Sequence, residues 1–143
     1  MFTISVQRPP SSLLRRTEQR LTENRKRLVE AILANVLTEV IEFNPVDSAR
    51  SRAAWVNSLE QLGVPAPPSW QGDNPTAIAE GRRLGELLRT DSLDITERTA
   101  ENSVDYVRYL EYGNSRQAPH SMVQRALHHR RQHLARHLTL LWD

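Results

Sequence analysis

"SSLLRRTEQRLTENRKRLVEAILANVLTEVIEF", residues 11–43, holds neither glycine nor proline. Pro9 and Pro10 precede it, and Ser11 and Ser12 offer side-chain oxygens to the free N–H groups of a helix start. Pro45 pushes Asn44 out of the helical region at the other end. The stretch reads as one long helix. Leu14, Leu21, Leu28, Ile32, Val36 and Val40 recur at steps of seven or four, while Arg16, Arg20, Glu23, Arg25, Lys26 and Arg27 fall mostly elsewhere. Apolar content rises toward Phe43, so the second half is expected to pack on the domain. Residues 1–27 are expected to form a projecting helical arm. At about 1.5 Å per residue the helix reaches on the order of 45 Å. A helix that outruns its own globule implies a partner.

Working outward, "NPVDSAR" (44–50) is a turn, and "RAAWVNSLEQL" (52–62), anchored by Trp55, Val56 and Leu59, is expected as a strand. "GVPAPPSWQGDNP" (63–75) contains Pro65, Pro67, Pro68 and Pro75 and reads as an extended surface loop anchored by Trp70. "PTAIAEGRRLGELLR" (75–89) has helical spacing at Ile78, Leu84, Leu87 and Leu88, with Thr76 as a cap and Gly81 and Gly85 as weak points. "DSLDITERTA" (91–100) alternates like a half-buried strand, and "SVDYVRYLEYG" (103–113) is a short helix closed by Gly113. A final helix runs from Pro119 to about Leu138. The plan is α+β: a long N-terminal helix, a small antiparallel sheet packed with shorter helices, and a C-terminal helix.

The 143 residues suffice for a single domain, 1–143. Zero cysteines exclude disulfides, thiolate metal sites and cysteine nucleophiles, and suit a reducing cytosol. No apolar run is long enough to cross a membrane, and MFTISVQRPP lacks the pattern of a secretory leader. The net charge of +2 hides an uneven distribution. Residues 1–43 carry seven basic and five acidic groups, 44–119 eight and eleven, and 120–143 four and one. All the cations except Lys26 are arginine, which pairs bidentately with carboxylates or phosphates. Intersubunit ion pairs and passing contact with nucleic acid are both open.

Residue types for chemistry are present without the patterns that chemistry needs. His129, His133 and His137 share a helical face at i, i+4, i+8, but no glutamate follows the first and Arg130 and Arg131 sit between them. Asp105, Ser115 and His120 supply the types of a hydrolytic triad, with no Gly-x-Ser-x-Gly elbow and no oxyanion loop. Gly81 and Gly85 are too isolated to cradle a phosphate. No nucleic-acid reading motif occurs, which leaves non-specific backbone contact. The expectation is no enzyme, no cofactor and no metal.

Two blocks of the chain resemble a known family. "NPVDSARSRAAW" (44–55) is similar to the Pro-Val-Asp-Thr-Gly-Arg turn that follows a long first helix, and precedes a strand bearing a tryptophan, in the neck and tail-completion proteins of long-tailed phages. This is the gene-product-ten-like group related to minor tail protein Z. "ENSVDYVRYLEYGNSRQAPHSMV" (101–123) resembles the same family's signature at Asn102, Tyr106, Leu110, Glu111, Tyr112, Gly113, Ser115, Gln117, Ala118, Pro119, Met122 and Val123. Order and spacing agree over about 80 residues. Ser48-Ala49 depart from the usual Thr-Gly, and alanine accepts a positive φ less readily than glycine. Asp105 stands where a proline often precedes the tyrosine.

The resemblance implies a structural virion protein, assembled in the host cytoplasm into a homo-oligomeric, hexameric ring at the head–tail junction. Its implied partners are head-completion or connector proteins and the tail terminator or tail-tube protein, with DNA met only non-specifically in the lumen. The alternatives are a tail terminator capping the tube, a non-specific nucleic-acid-binding protein and, last, a small hydrolase. Assembly contacts are expected at Arg16, Arg20, Arg50, Trp55, Tyr106, Glu111, Tyr112, Gly113, Gln117 and Pro119. Glu111 is expected to pair with an arginine, and Gly113 to reverse the chain.

Overall fold

The computed structural model describes residues 1–7, 15–45 and 49–142, and their side chains except those of 15–17 and 134–142. In chain order the elements are β1 (Phe2–Gln7), α1 (Arg15–Phe43), α2 (Arg50–Gln61), α3 (Pro75–Arg83), β2 (Gly85–Asp91), β3 (Ile95–Asn102), α4 (Val107–Tyr112) and α5 (Met122–Trp142). The strands form one antiparallel sheet in the order β1-β3-β2. The fold is α+β, with a long N-terminal helix and a C-terminal helix.

One face of the sheet is covered by α1 and α2. Alternation along β3 sends Thr96, Arg98, Ala100 and Asn102 toward the helices. Phe2 and Leu87 join them from β1 and β2. Leu33, Val36, Leu37, Val40 and Ile41 of α1 meet Trp55, Val56 and Leu59 of α2 in the same core, and Met122 and Ala126 of α5 close it. Trp70 is buried as well, under the Arg82 guanidinium at 5.5 Å, so the proline-rich loop is anchored where expected.

Three elements differ from the sequence reading. Residues 52–62, expected as a strand, lie in α2 and its C-cap. This helix is buried on nearly all sides, between α1, α3 and the sheet, and so carries no polar stripe from which a helical period could be read. Its small residues admit close neighbours: a Cβ at Gly81 or Gly85 would collide with the carbonyls of Arg50 or Ala54. The helix expected over 75–89 stops at Arg83, and Asn74, not Thr76, caps it by accepting the Ala77 N–H at 3.0 Å. From Gly85 the chain is strand, tied to α2 by Asn57 and Ser58, which donate to the Gly85 and Glu86 carbonyls.

The third difference concerns residues 1–27, which do not form a projecting helical arm. Residues 2–7 are β1, paired in register from Phe2↔Ala100 to Gln7↔Ile95. Arg25, on the helix, is 8 % exposed and turned onto the β2–β3 hairpin. It donates to Thr96 Oγ1 (2.8 Å) and to the Leu93 and Ser92 carbonyls (3.2 and 3.1 Å). The expected apolar stripe also rotates: Val36 and Val40 are buried, but Leu21 and Leu28 are about half exposed, and Val29, Leu33 and Leu37 take the inward side. Leu14 lies outside the described residues.

Candidate assembly site

The two blocks that carry the family resemblance come together at the first turn of α2. Asn102, the last residue of β3, donates from Nδ2 to the Ser51 carbonyl (3.0 Å), and its Oδ1 accepts the Val104 N–H (3.1 Å). Asn44, just past α1, donates to Ser51 Oγ at 2.8 Å. The Arg52 Nε–H in turn meets the Asn44 carbonyl at 2.6 Å. All three amide and hydroxyl side chains are buried, where an unmade bond costs about 1–3 kcal/mol. The ends of α1 and β3 are thereby locked to one spot. Ala49, where the resembled family has glycine, sits at φ 58° and ψ 3°.

Downstream, the chain turns through α4. Gly113 adopts φ 74° and ψ 179°, a region essentially confined to glycine, while its N–H bonds the Tyr109 carbonyl at 2.8 Å. A two-bond turn joins Asn114 and Gln117, and the strand-like return brings the His120 N–H to the Leu110 carbonyl at 2.7 Å. Glu111, expected to pair with an arginine, bonds backbone N–H groups of α5 instead. Its two carboxylate oxygens accept the Val123 and Gln124 N–H groups, each at 2.9 Å. The first turn of a helix leaves such donors unpaired and carries partial positive charge, so a carboxylate there is doubly favoured. Glu111 is an intramolecular cap of α5.

Two clefts flank this corner. One, of about 520 Å³, lies among Phe2, Trp55, Arg108, Glu111, Tyr112 and Leu127. The other, of about 340 Å³, is bounded by Pro45, Ala49, Tyr106, Tyr109 and Gln117. Tyr112 stands 75 % exposed on the rim of the first, and Tyr109 is 45 % exposed beside the second. Such exposure of aromatic rings around one corner suits a contact surface.

The remaining expected contact residues divide. Trp55 is 1 % exposed, packed 6.0 Å from the Phe2 ring, and belongs to the core, not to a surface contact. Arg50 pairs with Glu80 at 3.2 Å, and its Nε is buried without a hydrogen bond. Arg20 is exposed on α1, Gln117 and Pro119 are exposed on the corner, and the Arg16 side chain lies outside the described residues.

Buried charge sits elsewhere than the sequence suggests. Arg98 is 2 % exposed and is held by Glu30 of α1 (2.9 Å) and by both oxygens of Asp91 (2.9 and 3.2 Å). The hydrogen bond from Arg98 holds the Asp91 carboxyl below the ordinary carboxylate range, against a smaller opposing effect of burial. Glu39, also buried, takes His129 Nδ1 (2.7 Å) and Arg130 (3.1 Å) on one oxygen, which ties α5 to α1. Their signal in sequence is faint: a charged residue on an otherwise apolar helix or strand face.

Asp105, Ser115 and His120 are not bonded to one another. Asp105 accepts the Tyr106 N–H, and His120 meets Gln117 at 3.2 Å. His129 and His133 stack edge to face at 4.6 Å, while the His137 side chain lies outside the described residues. Among the described residues no three metal-binding side chains converge, and no helix is long and apolar enough to cross a membrane. No family model, curated protein or solved structure matches this chain.

Proposed function

We propose that this chain is a structural virion protein of a tailed phage, forming a ring at the head–tail junction that joins tail to head around the DNA channel. The observation that carries the reading is the meeting of the two resembling blocks, separated by dozens of residues, through the buried Asn44–Ser51–Asn102 bonds. Positions that matter to the resembled pattern also have physical reasons to matter here. Residue 49 is left-handed where that pattern has glycine, Gly113 takes a glycine-only conformation, and Glu111 caps the helix that follows the Gln-Ala-Pro run. A corner so fixed by buried and backbone bonds presents Tyr109, Tyr112, Gln117 and Pro119 as a rigid surface, as assembly requires.

The test is genetic. Silencing the gene in the virus that encodes it should leave DNA-filled heads and finished tails that do not join, and supplying the protein in trans should restore infectious particles. Normal particle yield without the protein would overturn the reading.

A further inference from the structure

The face of the sheet turned away from α1 and α2 carries Thr3, Ser5 and Gln7 of β1, Glu86, Leu88 and Thr90 of β2, and Ile95, Glu97, Thr99 and Glu101 of β3. Among the described residues it has three carboxylates and no cation. Glu86 and Glu101 stand directly opposite in the β2–β3 register, where like charges destabilise a strand pair. Among the described residues neither they nor Glu97 has an ion-pair partner. Leu88 and Ile95, on the same face, are 41 % and 37 % exposed.

The complementary surface lies on the same chain. Because Arg25, Val29 and Leu33 turn inward, the helical period places Arg20 and Arg27 on the outer side of α1. Both are exposed and without an ion pair among the described residues, and Leu21 and Leu28 are exposed beside them. Arg20 and Arg27 are two helical turns apart, about 10 Å. Glu97 and Glu101 are four strand residues apart, about 13 Å, a repeat that long arginine side chains span. A nucleic acid is repelled by the acidic face.

We propose that this sheet face binds the Arg20–Arg27 side of α1 from a second copy of the chain. The contact joins two different surfaces, so association is head to tail and generates a ring where the rotation closes. The proposal rests on the ring reading above and locates the contact between its copies.

The test is the mass of the purified protein in solution. Wild type should form oligomers that dissociate as salt is raised, since exposed charge pairs are screened. Glu86→Arg with Glu101→Arg, or Arg20→Glu with Arg27→Glu, should each weaken association by about tenfold or more, because facing like charges cost several kcal/mol. An equal mixture of the two double variants should restore assemblies of even copy number, each supplying the face that the other has reversed. The chain has no cysteine, so an Arg27→Cys, Glu101→Cys variant offers a clean second measurement: oxidation should link copies into covalent ladders. A wild-type protein that is monomeric in low salt overturns the contact, and the ring reading is then decided by the gene-silencing experiment. Oligomers that survive both reversals and do not cross-link overturn the contact while leaving the ring.

Discussion

Gly113 and Ala49 have opposite relations to their backbone angles. At Gly113 a Cβ would lie 2.8 Å from the Gln117 carbonyl and the Pro119 nitrogen, in a conformation that side chains avoid. Gly113→Val should therefore destabilise the fold by about 2 kcal/mol or more, read from urea unfolding. Ala49 is left-handed, so Ala49→Gly removes strain of about 1–2 kcal/mol against the chain-entropy cost of glycine. It should be close to neutral, whereas Ala53→Gly in the α2 interior should cost about 1 kcal/mol. Glu111→Ala leaves two helix N–H groups without their acceptor and should cost about 1–2 kcal/mol, with the loss appearing first as faster amide exchange in the first turn of α5. Asp91 gives a pH signature. Its folded pKa is depressed, so its contribution to stability is full above the unfolded carboxylate value and disappears as pH falls through the folded value. Between about pH 5 and pH 2 the urea midpoint should fall less in Asp91→Asn than in wild type, although Asp91→Asn starts lower. Parallel curves would show that the Arg98–Asp91 pair carries no linkage.

The helices and strands differ in how openly the chain declares them. The long run to Phe43 and the apolar positions Met122 and Ala126 mark α1 and α5 because each has one polar and one apolar side. The α2 segment hides its nature, since Ser51, Ala53, Ala54 and Ser58 are buried yet read as neither polar nor apolar anchors. β1 carries a signal that the helical-arm reading of residues 1–27 misses: FTISVQ alternates with a period of two, and Phe2, Ile4 and Val6 face the helices while Thr3, Ser5 and Gln7 do not. Glycines 81 and 85 look like defects of a helix in sequence and are instead the places where α2 comes close. Arg25 is the least legible of all, one arginine among several on α1, distinguished only by the three acceptors that the distant β2–β3 hairpin brings to it. Arg25→Ala should cost about 1.5–3 kcal/mol and raise amide exchange over residues 91–96 before the rest of the sheet. Unchanged protection there would mean that the hairpin holds itself.

At the scale of the whole molecule, the sheet has a face rich in carboxylates and α1 an outer side with arginines, both without ion pairs among the described residues, beside a corner with exposed tyrosines. The near balance of total charge, +2, conceals this separation of sign, which favours association of unlike faces over repulsion between copies. In the proposed ring the two charged faces meet neighbouring copies, which leaves the tyrosine corner for a further partner. The Asn44–Ser51–Asn102 junction was readable as two sequence blocks, but that they meet is a fact of tertiary structure alone. The proposed ring at the head–tail junction is tested most directly by a cryo-electron microscopy map of the neck of a tailed phage whose genome encodes this chain. The expected result is this fold, with its three-stranded sheet under α1 and α2, as a closed ring of identical copies around the channel between the head vertex and the tail tube. A complete map of that junction in which no density fits the fold would contradict it.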